Sequence, residues 1–145
     1  MSTDPRRNGN GSSHPADAGV RQRFDGDNLV ALRSTVAAHG DTLGLSGDRV
    51  GDLVLISHEL ATNAVRHGGG RGELRMWSDG GVVFCEIRDQ GPGMAAAVAV
   101  DGHRRPDLAA TGGRGLWLVR HLSDDVDIRT GPTGTSVTVS VTVDR

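Results

Sequence analysis

The spacing of apolar residues changes period several times along the chain, and each change marks an element. VRQRF, residues 20 to 24, alternates weakly and predicts an edge strand. In NLVALRSTVAAHG, Leu29, Leu32, Val36 and Ala37 recur at helical spacing, with Asp27 as the expected N-cap and Gly40 as the expected stop. A loop, DTLGLSG, leads into a second helix from about Asp48 to His67. At about 100° per residue, Val50, Leu53, Val54, Leu60, Ala61, Ala64 and Val65 of that helix share one broad arc. His67 lies at the edge of the arc, and Glu59 and Asn63 fall outside it. The helix thus buries one side and turns two polar groups elsewhere.

GELRMW and VVFCEIRD are strand-like runs joined by Asp79, Gly80 and Gly81, the residues of a tight hairpin turn. Residues 90 to 113, rich in Gly, Ala and Pro, have no firm period. Arg114 to Leu122 predicts a third helix, and DVDIRT and TSVTVSVTV predict strands around GPTG. The order helix, helix, hairpin, loop, helix, hairpin implies an α+β fold, a mostly antiparallel sheet with its helices on one face. There is no internal repeat.

Composition narrows the picture. A chain of 145 residues fits one domain. Residues 1 to 19 are rich in Gly, Ser, Pro, Asn and Asp and offer nothing large to bury, so they are expected to form a disordered tail ahead of a domain over 20 to 145. The net charge of -2 does not mark a nucleic-acid or membrane-surface binder. No apolar run approaches a bilayer span or a signal core, so a cytoplasmic protein is expected. The single cysteine, Cys85, sits in an apolar run, which excludes an internal disulfide and points to a core position. All 16 basic residues are Arg. The absence of lysine removes the P-loop and the protein-kinase fold, which both hold phosphates with one.

Three short motifs carry candidate chemistry. Glu59, Asn63 and His67 follow one another at four-residue intervals, one column of a helix. His58-Glu59 resembles a zinc-protease opening, but Thr62 stands where the second His is required. Asp25, Asp27 and Asn28 suggest a calcium loop, but Val36 stands where its closing Glu is required. A carboxylate beside an amide suits a general base next to a site for Mg²⁺, and equally a solvated helix face. DQGPGM, residues 89 to 94, follows a strand directly. Gly91 and Gly93 let the backbone approach a flat ligand, and Asp89 can accept a hydrogen bond from an exocyclic amine; an ordinary Asp-capped turn reads the same way. TGGRGLWLV, residues 111 to 119, puts Gly112, Gly113 and Gly115 at a helix start, where free N–H groups form a phosphate cradle that needs no lysine, or where the chain hinges.

An E-x-x-x-N helix, a D-x-G-x-G turn after a strand and a G-x-G-L helix start, in this order, resemble the three boxes of the GHKL ATPases, the superfamily of gyrase and the histidine kinases. The resemblance covers nearly the whole chain after residue 20 and implies the Bergerat fold, a two-layer α/β sandwich. ELATNAVRHGG, RDQGPGM, GRGLWLVRHLSDDVDIR and GPTGTSVTV look most like the bacterial anti-sigma-factor serine/threonine kinases.

That resemblance implies roles. Glu59 is the expected general base, Asn63 the ligand of a Mg²⁺ that bridges the phosphates of ATP, and Asp89 the partner of the adenine amine. Gly91, Gly93 and Met94 shape the pocket; Gly113, Arg114, Gly115 and Leu116 form the phosphate end; Thr135 supports adenine. His67 matches a position near the phosphates, or caps its helix. Residues 95 to 111 correspond to the ATP lid, with His103, Arg104 and Arg105 as its charge cluster. The implied partners are a sigma factor, which the protein sequesters, and an anti-anti-sigma protein of the STAS type, which it phosphorylates. A homodimer is implied, with no direct contact to nucleic acid. An ATP-binding interaction module with little turnover is the alternative. A histidine kinase is expected to need a helical hairpin carrying the phosphoacceptor His, which the polar stretch before residue 20 does not supply.

Overall fold

Alternating apolar residues set the architecture. A computed structural model describes residues 19–91 and 113–143. The expected tail up to residue 18, Gly93, Met94 and the expected lid with His103, Arg104 and Arg105 lie outside the described residues. The elements run β1 (Val20–Asp25), α1 (Leu29–Thr42), α2 (Gly47–His67), β2 (Arg71–Asp79), β3 (Val82–Asp89), α3 (Gly113–Leu122), β4 (Asp125–Gly131) and β5 (Gly134–Thr142). The strands form one sheet in the order β1-β2-β3-β5-β4. Every neighbouring pair is antiparallel. The expected α+β sheet with helices on one face is therefore what forms, and VRQRF is an edge strand.

The period of two in the strands separates the faces. Leu74, Met76, Val83, Cys85, Ile87, Val137, Val139 and Val141 point inward and are buried. They share one core with Leu32 and Val36 of α1, Leu53, Ile56, Leu60, Ala61 and Ala64 of α2, and Leu116 and Val119 of α3. Burying each large aliphatic side chain there stabilises the fold by roughly 1.5–3 kcal/mol. Cys85 is fully buried in this core. The outer face alternates Arg, Glu, Ser and Thr, interrupted by a stacked Trp77–Phe84 pair whose centroids lie 5.4 Å apart.

Two expected helix ends move. Asp27 does not cap α1; the N-cap is Asn28, whose side chain makes no capping bond to the helix. The Asn28 Oδ1 accepts from the Asp25 N–H at 2.8 Å, and the Asp25 Oδ1 accepts from the Asp27 N–H at 2.8 Å, so this cluster closes the strand-to-helix turn. Gly40 does not stop α1, which continues to Thr42. The stop is Gly44, at φ +99°, where Leu45 N–H bonds Gly40 C=O and Gly44 N–H bonds Asp41 C=O. That pair of bonds closes a helix when its C′ residue is left-handed, which glycine allows at least cost. Leu45 then folds back to lie against Gly40.

α2 begins one residue earlier than expected, capped by the Ser46 hydroxyl, which accepts from the Arg49 N–H. Arg49 fixes the other flank of α2: its guanidinium reaches Asp52 at 3.1 Å, Asp124 at 3.0 Å and the Leu122 carbonyl at 3.4 Å. The N-terminal end of α2 is thereby tied to the C-terminal end of α3, and the two helices run antiparallel over the sheet. The other end of α2 must then meet the start of α3.

Candidate functional site

Glu59 and Asn63 leave the apolar arc of α2 on the flank that faces α3. The start of α3 meets them there. A Cβ built on Gly115 would stand 2.8 Å from the Glu59 Oε1 and 3.6 Å from the Asn63 Nδ2. Glycine at this position therefore lets the helix start rest on the carboxylate and amide. Neither Glu59 nor Asn63 has a hydrogen bond or ion pair among the described residues, although both are half-buried. Half-buried polar groups normally find partners. An acid and an amide left unpartnered beside free helix N–H groups form a donor and acceptor set suited to phosphate and a hard cation.

The second half of the site forms where β3 ends. Asp89 Oδ1 accepts from the Gly91 N–H at 3.0 Å, closing the turn that DQGPGM predicts. Three glycines pack at this strand end, one of them against the carboxylate itself. A Cβ on Gly68, at the C-terminal cap of α2, would collide with the Asp89 carboxyl group, its Cβ standing only 2.8 Å away. A Cβ on Gly91 would collide with the Gly68 backbone, whose oxygen lies 2.9 Å from that point. A Cβ on Gly134 would strike the Asp89 carbonyl and stand 3.2 Å from the Gln90 Cα. The end of β3 is therefore held closely between the end of α2 and the start of β5.

Thr135 lies directly opposite Asp89 in the β3–β5 register. It is nearly buried, and its hydroxyl is 2.9 Å from the Thr130 hydroxyl. Both Asp89 and Thr135 point to the face that carries the helices. His67 is exposed at the last position of α2, with no hydrogen bond or ion pair among the described residues. Leu116 is fully buried in the core, so its side chain anchors α3 from beneath. Gly113 opens α3; for Arg114 only the helical backbone is described.

The structure thus brings Glu59 and Asn63 to Gly115, and Asp89 to Gly91 and Thr135, with α2 running from the first cluster to the second. Sequence reasoning missed Gly68 and Gly134 as packing partners of Asp89. The run of three glycines after His67 was the available signal, since a single glycine suffices to end a helix.

Comparison with known proteins places this arrangement. A search of curated proteins gives no significant match. Among solved structures, the histidine kinase domain of a blue-light activated histidine kinase from Erythrobacter litoralis is 20% identical, with a TM-score of 0.56, over 90% of this chain and 70% of that one. A mycobacterial sensor histidine kinase, MprB, is 19% identical at a TM-score of 0.54, over 85% of this chain and 97% of that one. Full-length ShkA in complex with AMPPNP is 20% identical at a TM-score of 0.52, and this chain spans 31% of its length. These similarities show a shared fold. The model of the histidine kinase-like ATPase domain matches residues 23–141, from β1 through most of β5, and the chain belongs to that family.

Proposed function

We propose that the protein is an ATP-binding anti-sigma regulator with serine/threonine protein kinase activity, which sequesters a sigma factor and phosphorylates a STAS-type antagonist. The observation that carries the reading is the meeting of Glu59 and Asn63 with the glycine start of α3. A family fold that holds nucleotide needs a phosphate end, and here unpartnered polar side chains face a helix N-terminus among the described residues. Asp89 and Thr135 supply the adenine end. Among relatives of the fold, ShkA is described in complex with AMPPNP, an ATP analogue.

In this reading Asn63 holds a Mg²⁺ that neutralises phosphate charge. Glu59 accepts the proton of a serine hydroxyl as that oxygen bonds the γ-phosphorus and ADP leaves. The retention of a carboxylate at the phosphate end favours turnover over a binding-only module, which would have no use for a base. Serine specificity, the sigma factor and the homodimer rest on the resemblance of the motifs to the anti-sigma kinases. No helix of the described residues is long and apolar enough to cross a membrane.

Calorimetric titration with ATP, with and without Mg²⁺, tests the binding step. Micromolar, Mg²⁺-dependent affinity that Asn63→Ala weakens is expected. Absence of binding in the wild type overturns the reading. Incubation of the protein with ATP and a STAS-domain substrate, followed by intact mass measurement, tests transfer; no phosphoryl gain with any such substrate removes the kinase assignment and leaves an ATP-binding module.

A further inference from the structure

The strand register lines up a charged row across the outer face of the sheet, away from the face that carries Asp89 and Thr135. Arg23 of β1 pairs with Glu73 of β2, and Glu73 with Arg88 of β3. Arg71 opens β2 beside them. A cleft of about 630 Å³ opens here, bordered by these four side chains, by Gly68, Gly69, Gly72 and Gln90, and at its inner end by Asp89, so Glu73 and Asp89 are its two carboxylates. Arg23, Arg71 and Arg88 are all exposed. None of the three guanidinium groups has an ion pair or hydrogen bond among the described residues.

That is unusual on this face. Arg75 is paired with Glu86 at 3.4 Å and Arg129 with Asp127 at 2.9 Å. Glu73, the one acid within the row, is already engaged by Arg21 at 3.6 Å. Three unpaired cations thus surround a cleft in a chain whose net charge is -2. We infer that the arginine cleft formed by Arg23, Arg71 and Arg88 on the outer face of the sheet docks an acidic, extended segment of a partner protein.

Charge complementarity and spacing choose that occupant. Adjacent strands lie about 4.8 Å apart, so Arg23 and Arg88, two strands apart, stand about 10 Å from each other. An extended polyproline II segment rises about 3.1 Å per residue with three residues per turn, so acids three residues apart fall on one side and match that span. Glu73 between the arginines disfavours a continuous polyanion such as nucleic acid, because its carboxylate faces the phosphate that would bridge the gap. A peptide meets no such cost, since it can place a neutral residue opposite Glu73. Guanidinium groups also bind carboxylates through two parallel hydrogen bonds, which gives the contact direction as well as charge.

The test uses the full chain and a fluorescein-labelled peptide of four Asp-Gly-Ser repeats, followed by anisotropy at low salt. The matching Asn-Gly-Ser peptide is the neutral control. Binding of the acidic peptide alone is expected, with at least about a tenfold loss in Arg23→Glu or Arg71→Glu and a clear gain in Glu73→Gln. Raising the salt should weaken it, as for any exposed charge contact. The thermal melt of Arg23→Glu should match that of the wild type, which shows that the variant is folded. Equal binding of both peptides, or unchanged binding in the reversed variants, overturns the inference. Binding of inorganic triphosphate with no binding of either peptide also overturns it, in favour of a small-anion site.

Discussion

In the proposed function Glu59 and Asp89 are both carboxylates that meet one ligand, and their surroundings suit them to different tasks. The Asp89 carboxylate lies against Gly68 and already accepts the Gly91 N–H, so it is held rigidly. Glu59 has no partner among the described residues, so it is free to take a proton. Asp89→Asn should therefore lower ATP affinity at least about tenfold in calorimetry, because a carboxylate acceptor of an amine is replaced by an amide. Glu59→Ala should retain affinity and lose transfer by about 10²–10⁴-fold in a phosphorylation assay, the usual worth of a positioned base. Equal loss of binding in both would refute this division of roles. Cys85 supports a second residue-scale prediction. Burial first, and the neighbouring Glu86 carboxylate second, push its thiol from the ordinary 9.0 up to about 12. The folded state thus prefers the protonated thiol. Its contribution is complete below about pH 9 and is lost as pH climbs toward 12, where the unfolded chain releases a proton that the folded chain keeps. The limiting slope is about 1.4 kcal/mol per pH unit. The chain has no Lys and no Tyr, so Cys85 is the one side chain ordinarily titrating in that window. Urea midpoints should fall between pH 9 and 11 in the wild type and stay flat in Cys85→Ala; a parallel fall in both would rule out this origin.

Among the elements, α2 joins the two halves of the site, and its ends hold it in place. Ser46 caps one end, so Ser46→Ala should cost about 1 kcal/mol by urea unfolding while leaving the ligand contacts intact. At the other end Gly91 lies directly on Gly68. Gly91→Ala must push β3 away from α2, at about 1–3 kcal/mol in stability, and should reduce ATP affinity as well because Asp89 moves with the strand. A variant that loses stability but binds ATP normally would show that Asp89 is not tied to this contact. How far these elements were legible in the sequence follows from the range of the interactions that set them. The hairpin of β2 and β3 is local: Gly80 and Gly81 both take positive φ, and alternation does the rest. The column of Glu59 and Asn63 is equally local, because helix geometry alone places it. The cap of α1 was misread because Asp25, Asp27 and Asn28 compete for the same turn, and only the path from β1 decides among them. Gly40 was misread because glycine ends a helix only where a left-handed residue is needed, and that position is Gly44. The contact of Gly115 with Glu59 joins residues far apart in sequence; no local pattern carries it, and the family resemblance implies only that both belong to one ATP site.

At the scale of the whole molecule, one sheet and one helix layer share a single core, and the candidate site lies along a seam of that core. Its parts come from α2, the end of β3, the start of β5 and the start of α3, which are distant in sequence and adjacent in space. A ligand that touches Asn63 and Asp89 at once therefore resists separation of helix layer from sheet, and its binding energy adds to global stability. Ligand that binds only the folded chain at a concentration of 100 times its dissociation constant contributes about 2.7 kcal/mol. For a domain of this size that corresponds to a rise on the order of 10 °C in Tm. Mg²⁺ and ATP together should produce such a rise in a thermal melt of the wild type. Asp89→Asn, with about tenfold weaker affinity, should cut the rise to about half at the same ATP concentration. Glu59→Ala should keep it in full, because the base contributes to transfer and not to affinity. A rise in the wild type that Asp89→Asn leaves untouched would place the nucleotide away from this seam, and the two clusters would then be packing features of the fold.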